Sequence, residues 1–273
     1  MLSKLGYEAL TSAQASMGLV GEITENLSNV YSVGYKRNKT TFAQALNGEI
    51  TMYQNKIHSQ GALRKTGEIY DAAIEGPGFF EVELPSGQRA YTRAGRLNLS
   101  SEGELITLEG YRLIPEVEGI GEAVSPTVKT GDTKSTELGI NIEVNTPKLT
   151  IPVNVTPEIA EDGTINTINP ESGEKTKIGK IRVALFNNPQ GLESMGKGYY
   201  LETKESGKPQ DVEVSPFTAT KIRQGYVELS NVDIAASFME IIQLRNVISA
   251  QLKTMKVLDK IYEQVHYTIS RAA

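Results

Sequence analysis

The chain contains no cysteine and no tryptophan, and only two histidines among its 273 residues. Without cysteine there is no disulfide, no thiolate metal site and no thiol nucleophile. Acidic residues (33) outnumber basic ones (28), for a formal charge of -5, so the concentrated basic surface that nucleic acid requires is missing. No apolar run approaches the ~20 residues of a bilayer-spanning helix. The N-terminus lacks a charged n-region, a continuous apolar core and a small-residue cleavage site. No cleaved secretory signal and no membrane insertion are therefore expected. His58 and His266 are far apart in the chain and have no third ligand at metal spacing, so both are expected at packing or surface positions. No serine sits in a nucleophile elbow. The absences converge on a protein that is not an enzyme, with no catalytic, cofactor-binding or metal-binding residue and no cofactor.

Two stretches that superficially carry chemistry are read as structural. Gly76-Pro77-Gly78 resembles a phosphate-binding turn, but proline removes a donor N–H and no helix or lysine follows to hold an anion. It is expected to be the tight bend that launches a strand at Phe79–Leu84. Glu81 and Glu83 share a strand face, expected to be solvated, and are not read as an acid–base pair.

What the chain does contain is helical periodicity at both ends. Ile241, Leu244, Ile248, Gln251, Met255, Leu258, Tyr262, Val265 and Ile269 follow one another at alternating steps of three and four, a heptad seam with one polar interruption at Gln251. Neither glycine nor proline occurs after Gly225, and Asn231 and Asp233 both offer N-caps. At about 1.5 Å per residue such a helix is on the order of 50 Å long, more than a small domain can cover. At the other end Leu2, Leu5, Ala9, Ser12, Ser16, Leu19, Ile23, Asn26 and Val30 share the spacing, in a seam that is smaller and more polar. Gly6, Gly18 and Gly21 weaken it by roughly 1 kcal/mol each against alanine, so its order must come from packing. Ser32-Val33-Gly34 is a candidate stop, with Gly34 at a left-handed C′ position.

Between the helices the pattern changes twice. Residues 36–72 are polar, with no sustained period, and are expected to form an extended connector with local structure. From Ala73 the chain alternates as a half-buried strand does, in short runs punctuated by Pro85-Ser86-Gly87-Gln88, Ser101-Glu102-Gly103 and Glu109-Gly110. Residues 73–224 are thus expected to be an antiparallel β-domain, with a loop-rich insertion at 116–145. The predicted fold class is α+β. N- and C-terminal long helices (1–35 and 225–273) pair as a coiled-coil-like element around a central antiparallel all-β domain.

Several stretches resemble one family in that family's order. Asn26-Leu27-Ser28-Asn29-Val30 followed by Gly34-Tyr35-Lys36 resembles the end of the N-terminal helix in bacterial flagellar rod and hook proteins. Ala72 to Phe80 and Ala90 to Gly95 are similar to its next landmarks. Gly191 to Gly196 and Gln224 to Val232 look most like the distal rod members. Glu25, Val33 and Tyr35 depart from the usual asparagine, threonine and phenylalanine. The connector also looks shorter than usual, and residues 116–145 look like an addition. The resemblance implies a structural subunit of the flagellar basal-body rod, whose paired terminal helices build the inner tube of a hollow helical shaft. That shaft transmits torque and conducts exported subunits, and sits in the periplasmic rod of the basal body. The implied partners are copies of the chain itself, other flagellar axial proteins and the flagellar type III export apparatus.

The residues expected to carry assembly are Asn26, Leu27, Asn29, Val30 and Gly34 at the first helix end, with Ile241, Leu244, Ile248, Met255, Leu258, Tyr262 and Val265 on the second seam. Phe42 and Leu46, a Phe-x-x-x-apolar pair, are expected to serve export. A proximal rod or hook subunit, a secreted coiled-coil stalk or adhesin, and a cell-wall-acting enzyme using β-domain carboxylates are the alternatives.

Overall fold

Residues 234–272, free of glycine and proline, form a single 39-residue α-helix in the computed structural model, α2 (Ile234–Ala272). At 1.5 Å per residue it is about 58 Å long. Of the two candidate caps Asp233 is the one used, its Oδ1 accepting the Ala236 N–H at 3.0 Å. The N-terminal helix α1 (Leu2–Ser28) runs through all three of its glycines. The structure describes residues 2–44, 50–116, 149–152, 155–168, 175–211, 214–215 and 217–272. Leu46 and nearly all of the expected insertion at 116–145 lie outside these.

Contacts divide the chain into two compact units. The first is Met1–Ser32, Lys36–Ser59 and Ser230–Ala273; the second is Val33–Tyr35 with Gln60–Leu229. In the first unit α1 and α2 are joined by a hairpin of β1 (Asn38–Gln44) and β2 (Ile50–Lys56), antiparallel with Asn38 opposite Lys56. This hairpin is the local structure within the expected connector. Its polar residues do not alternate, so no strand period announces it.

In the second unit every strand pairing is antiparallel. The main sheet runs Glu193–Gly196, Tyr199–Leu201, Arg89–Thr92, Phe79–Glu83, Arg112–Leu113, Leu105–Thr107 and Leu97–Leu99 in spatial order. A second sheet orders Pro115–Glu116, Lys175–Ile181, Thr164–Ile168 and Thr156–Ile159. Phe80, Val82, Ala90, Leu105 and Leu113 pack with Ile151, Ile165, Ile181 and Ile222 in the main core. The opposite face of the main sheet is also covered: Phe79, Tyr91, Ala184, Phe186, Leu192 and Tyr200 form a second, aromatic cluster. Burial on both faces overturns the expectation that Glu81 is solvated, because its side chain is wholly buried.

The Gly76-Pro77-Gly78 bend is as expected. Gly76 and Gly78 have φ of 107° and 126°, which side chains with a Cβ rarely adopt. A Cβ on Gly78 would collide with Val183 Cγ1.

Candidate assembly surface and junction

Each helix is organised by its seam. From Ile241 to Leu258 the half-buried positions of α2 are Ile241, Leu244, Ile248, Gln251, Met255 and Leu258, the predicted seam residues, and their neighbours on the other faces are exposed. Farther along, Tyr262 and Val265 are 42% and 43% exposed. On α1 the seam is tighter: Ile23 and Asn26 are buried with Ala13 and Ser16, while Leu19 and Leu27, and Val30 in the turn just beyond the helix, are half-buried. The polar interruptions of the two seams meet, Gln251 Nε2 donating to Ser12 Oγ at 2.7 Å.

Apolar side chains are not confined to the seam. Phe238, Met239, Ile242, Val247, Leu252 and Val257 on α2 are each 45–57% exposed. They point in several directions around the helix, since at about 100° per residue Met239 projects about 100° and Val247 about 180° from Phe238. Isolated exposed apolar residues need no explanation, but their concentration on one helix marks an interaction surface.

Where α1, the hairpin and α2 converge, side chains tie backbone to backbone. Asn26 reads Asn38 at both ends: its Nδ2 donates to the Asn38 carbonyl at 2.9 Å and its Oδ1 accepts the Asn38 N–H at 2.8 Å. Asn231 does the same for two passes of chain. Its Oδ1 accepts the Arg37 N–H at 2.8 Å, and its Nδ2 donates to the carbonyls of Ile57 at 2.7 Å and Ser59 at 3.1 Å. Lys36 is wholly buried, its Nζ donating to the Ser59 carbonyl at 2.7 Å. Thr40 donates to Glu22 across the same joint. Burial holds the Lys56 ammonium below its ordinary pKa, against the opposing pull of Glu25. Asn29 stays local, donating to the Glu25 carbonyl at 3.0 Å and accepting from the Ser32 hydroxyl at 3.1 Å.

The second unit has its own joint, around Glu228. This buried carboxylate accepts the Gly61 N–H at 2.7 Å and faces Arg93 Nη1 at 3.4 Å, while its backbone carbonyl accepts the Gly34 N–H at 2.8 Å. Arg93 also lies over the Phe79 ring at 5.3 Å, and burial lowers its pKa against the raising effect of Glu228. Gly34 is left-handed as expected, at φ 69°, but not as a helix cap, because α1 ends six residues earlier, at Ser28. It is glycine because a Cβ there would stand 2.5 Å from the Ala94 nitrogen.

Of the predicted site residues, the structure thus brings Asn26 into the joint and Ile241, Leu244, Ile248, Met255 and Leu258 onto one line. Leu27 and Val30 sit half-buried beside them. Phe42 is in β1. Sequence reasoning missed Lys36, Asn38, Asn231, Arg93 and Glu228 as fasteners, although Lys36, Asn231, Arg93 and Glu228 all lie inside the stretches that carry the family resemblance.

Among the described residues no three His, Asp or Glu side chains could hold a metal ion together, and no helix is long and apolar enough to cross a membrane. Glu81, the most buried carboxylate outside the joint, is locked between Arg89 at 2.9 Å and Arg182 at 3.2 Å. Burial raises its pKa, and both arginines pull it back.

Comparison with known proteins agrees with this picture. Residues 73–167 match the family model described as flagellar hook protein FlgE/F/G D1 domain, and residues 223–265 match flagellar basal body rod FlgEFG protein C-terminal. The flagellar basal-body rod protein FlgG of Buchnera aphidicola subsp. Schizaphis graminum is 30% identical, over 97% of this chain and 96% of its own length. FlgG of Borreliella burgdorferi is 26% identical over 93% of this chain and 94% of its own, and FlgG of Bacillus subtilis 25% over 95% and 96%. FlgF of Rhizobium meliloti is 32% identical across a shorter stretch, 40% of this chain and 48% of its own. Two helical ends that expose apolar surface, a two-faced β-unit and relatives matched from end to end lead to one conclusion: the chain belongs to the flagellar basal-body rod protein family, of the FlgG type, and is a structural subunit of the basal body that polymerises with its own kind and associates with other basal-body components.

Proposed function

We propose that α1 and α2 pair along their seams as a coiled-coil-like element and that this pair, repeated through the polymer, forms the inner tube of a hollow shaft. Residues 1–35 and 225–273 supply that tube, residues 73–224 the outer domain, and residues 36–72 connect them. The shaft transmits torque and conducts later subunits, and the chain reaches its end by type III export without cleavage of a signal.

The observation that carries this reading is the incomplete burial of α2. Its best-covered seam residues are only half-buried, and large apolar side chains remain exposed on its other faces. Each such side chain gains roughly 1.5–3 kcal/mol when fully buried. One partner with serines and asparagine in its seam cannot cover them on every side, whereas neighbouring copies in a helical array can. The contacts are heterologous, so they build an open filament and not a closed ring. On this reading Ile241, Leu244, Ile248, Met255, Leu258, Tyr262 and Val265 meet neighbours as well as α1. Asn26 acts one step back, by shaping the joint at the end of α1, and Gly34 by fitting the turn beside Ala94.

Charge placed on the outer faces of α2 tests the reading. Val247→Asp with Val257→Asp leaves the seam intact, so the chain should be made and folded normally yet fail to extend rods in cells lacking the parent protein. Rods of normal length and number from that variant would remove the multi-sided packing on which the proposal stands.

A further inference from the structure

Gln251 is the one polar residue among the half-buried positions of the α2 seam, which otherwise reads Ile241, Leu244, Ile248, Met255 and Leu258. Its amide is accommodated in a particular place. Nε2 donates to Ser12 Oγ at 2.7 Å and stands 3.4 Å from Ser16 Oγ. Ser16 is 7% exposed and donates its own hydroxyl to the Ser12 carbonyl at 2.9 Å. Two small hydroxyl residues one turn apart therefore provide both the room and the acceptor that the amide needs. The match is incomplete, because Gln251 Oε1 is buried and accepts nothing among the described residues.

The neighbouring layers differ. Stepping seven residues along both helices in opposite directions from this contact pairs Leu244 with Leu19 and Ile23. In sequence, the positions seven residues the other way, Leu5 and Ala9, carry no polar side chain either. Apolar contact is non-directional, so a slide of α1 along α2 by one heptad would keep the seams facing each other. It would also deliver the Gln251 amide to an apolar layer with no side-chain oxygen to receive it.

We propose that Gln251, with Ser12 and Ser16, is the register pin of the α1–α2 pair, selecting one axial alignment from the heptad-spaced alternatives. The inference rests on the reading above that the helices pair along their seams. A buried amide that loses its partner biases the equilibrium roughly ten- to hundred-fold against the slipped states. The partly satisfied layer costs stability in exchange for alignment, as single polar residues in helical seams do. For a subunit stacked many times along a shaft, the alignment matters because a one-heptad slide displaces one end of the chain by about 10 Å.

The chain has no cysteine, so spin labels can be placed at will. Gln14→Cys and Ser249→Cys fall at exposed positions level with the pin. The doubly labelled full-length chain, co-assembled into rods with excess unlabelled protein, should give one narrow interspin distance. Adding Gln251→Leu should introduce a second, longer distance from the slid alignment, while raising the melting midpoint of the helical signal. Ser12→Ala with Ser16→Ala, which removes the acceptors and leaves the amide, should also introduce the second distance but lower the midpoint. A single unchanged distance in both variants overturns the pin. A broad distribution already present in the parent rods overturns the helix pairing itself, and the pin with it.

Discussion

Replacing Glu228 by alanine should destabilise the second unit by about 4 kcal/mol. Its carboxylate is fully buried, and Arg93, its partner, is 4% exposed. Removing one member of a buried pair leaves an uncompensated charge, at a cost of about 3–5 kcal/mol. The Gly61 N–H, now 2.7 Å from the carboxylate, loses its acceptor as well, adding roughly 1 kcal/mol. The Phe79 face, 5.3 Å from the guanidinium, recovers a part of this, on the order of 1 kcal/mol. Glu228→Gln keeps an oxygen for Gly61 and removes only the charge, so it should cost about half as much, and Arg93→Met in that background should add little, since neither charge remains. The double variant should then be more stable than the sum of its singles by about 2 kcal/mol. Urea unfolding of the full chain measures all of this. With 12 tyrosines and no tryptophan, tyrosine emission reports a unit whose core holds Tyr91, Tyr199 and Tyr200. A Glu228→Ala cost below about 1 kcal/mol, or additive singles, would mean that the joint is not held by this pair.

Three further outcomes are expected. Gly78→Val should lower the melting midpoint of the β-unit, costing roughly 1–3 kcal/mol from the left-handed backbone alone before its collision with Val183, and an unchanged midpoint would show the bend to be conformationally ordinary. Because burial raises the Glu81 pKa in the folded chain, the native state binds its proton more tightly than the unfolded one. Glu81 therefore contributes stability that declines as pH rises from the ordinary carboxylate value through the raised one. In Glu81→Gln that decline should vanish from a stability-versus-pH profile, and an identical slope in parent and variant would assign it elsewhere. Phe42→Ala with Leu46→Ala should reduce secretion while cytoplasmic protein persists, and normal secretion of the pair would end the export reading.

The helices were legible because their information is local and periodic. A three–four alternation from Ile241 to Leu258 named the half-buried line of α2 residue by residue. The β-unit was legible from turns such as Pro85-Ser86-Gly87, whose backbone demands are met within the turn. What could not be read depends on partners distant in sequence. Glu81 alternates like a surface residue, but its face of the sheet carries the aromatic cluster of Phe79, Tyr91, Phe186 and Tyr200, and Arg89 and Arg182, from elsewhere in the chain, close over it. The hairpin at Asn38–Lys56 is polar on both faces, so it carries no period. The joints at Asn231 and Glu228 bring together chain 167 to 194 residues apart. Side-chain amides and carboxylates that bond to backbone leave no pattern in one dimension, and Asn231 read equally well as a helix cap.

Amide hydrogen exchange, compared residue by residue between dilute monomer and assembled rods, bears most directly on the central claim. Strands of the second unit, from Leu63–Lys65 to Tyr226–Glu228, should be equally protected in both states. That protected unit should span roughly Gln60–Leu229. Amides of α1 and of α2, above all beyond Leu258 where Tyr262 and Val265 are exposed, should exchange rapidly in the monomer and become protected on polymerisation. Helices as protected in verified monomer as in the rod would show that the pair is already a finished domain, and the account of a tube completed by neighbouring copies would be wrong.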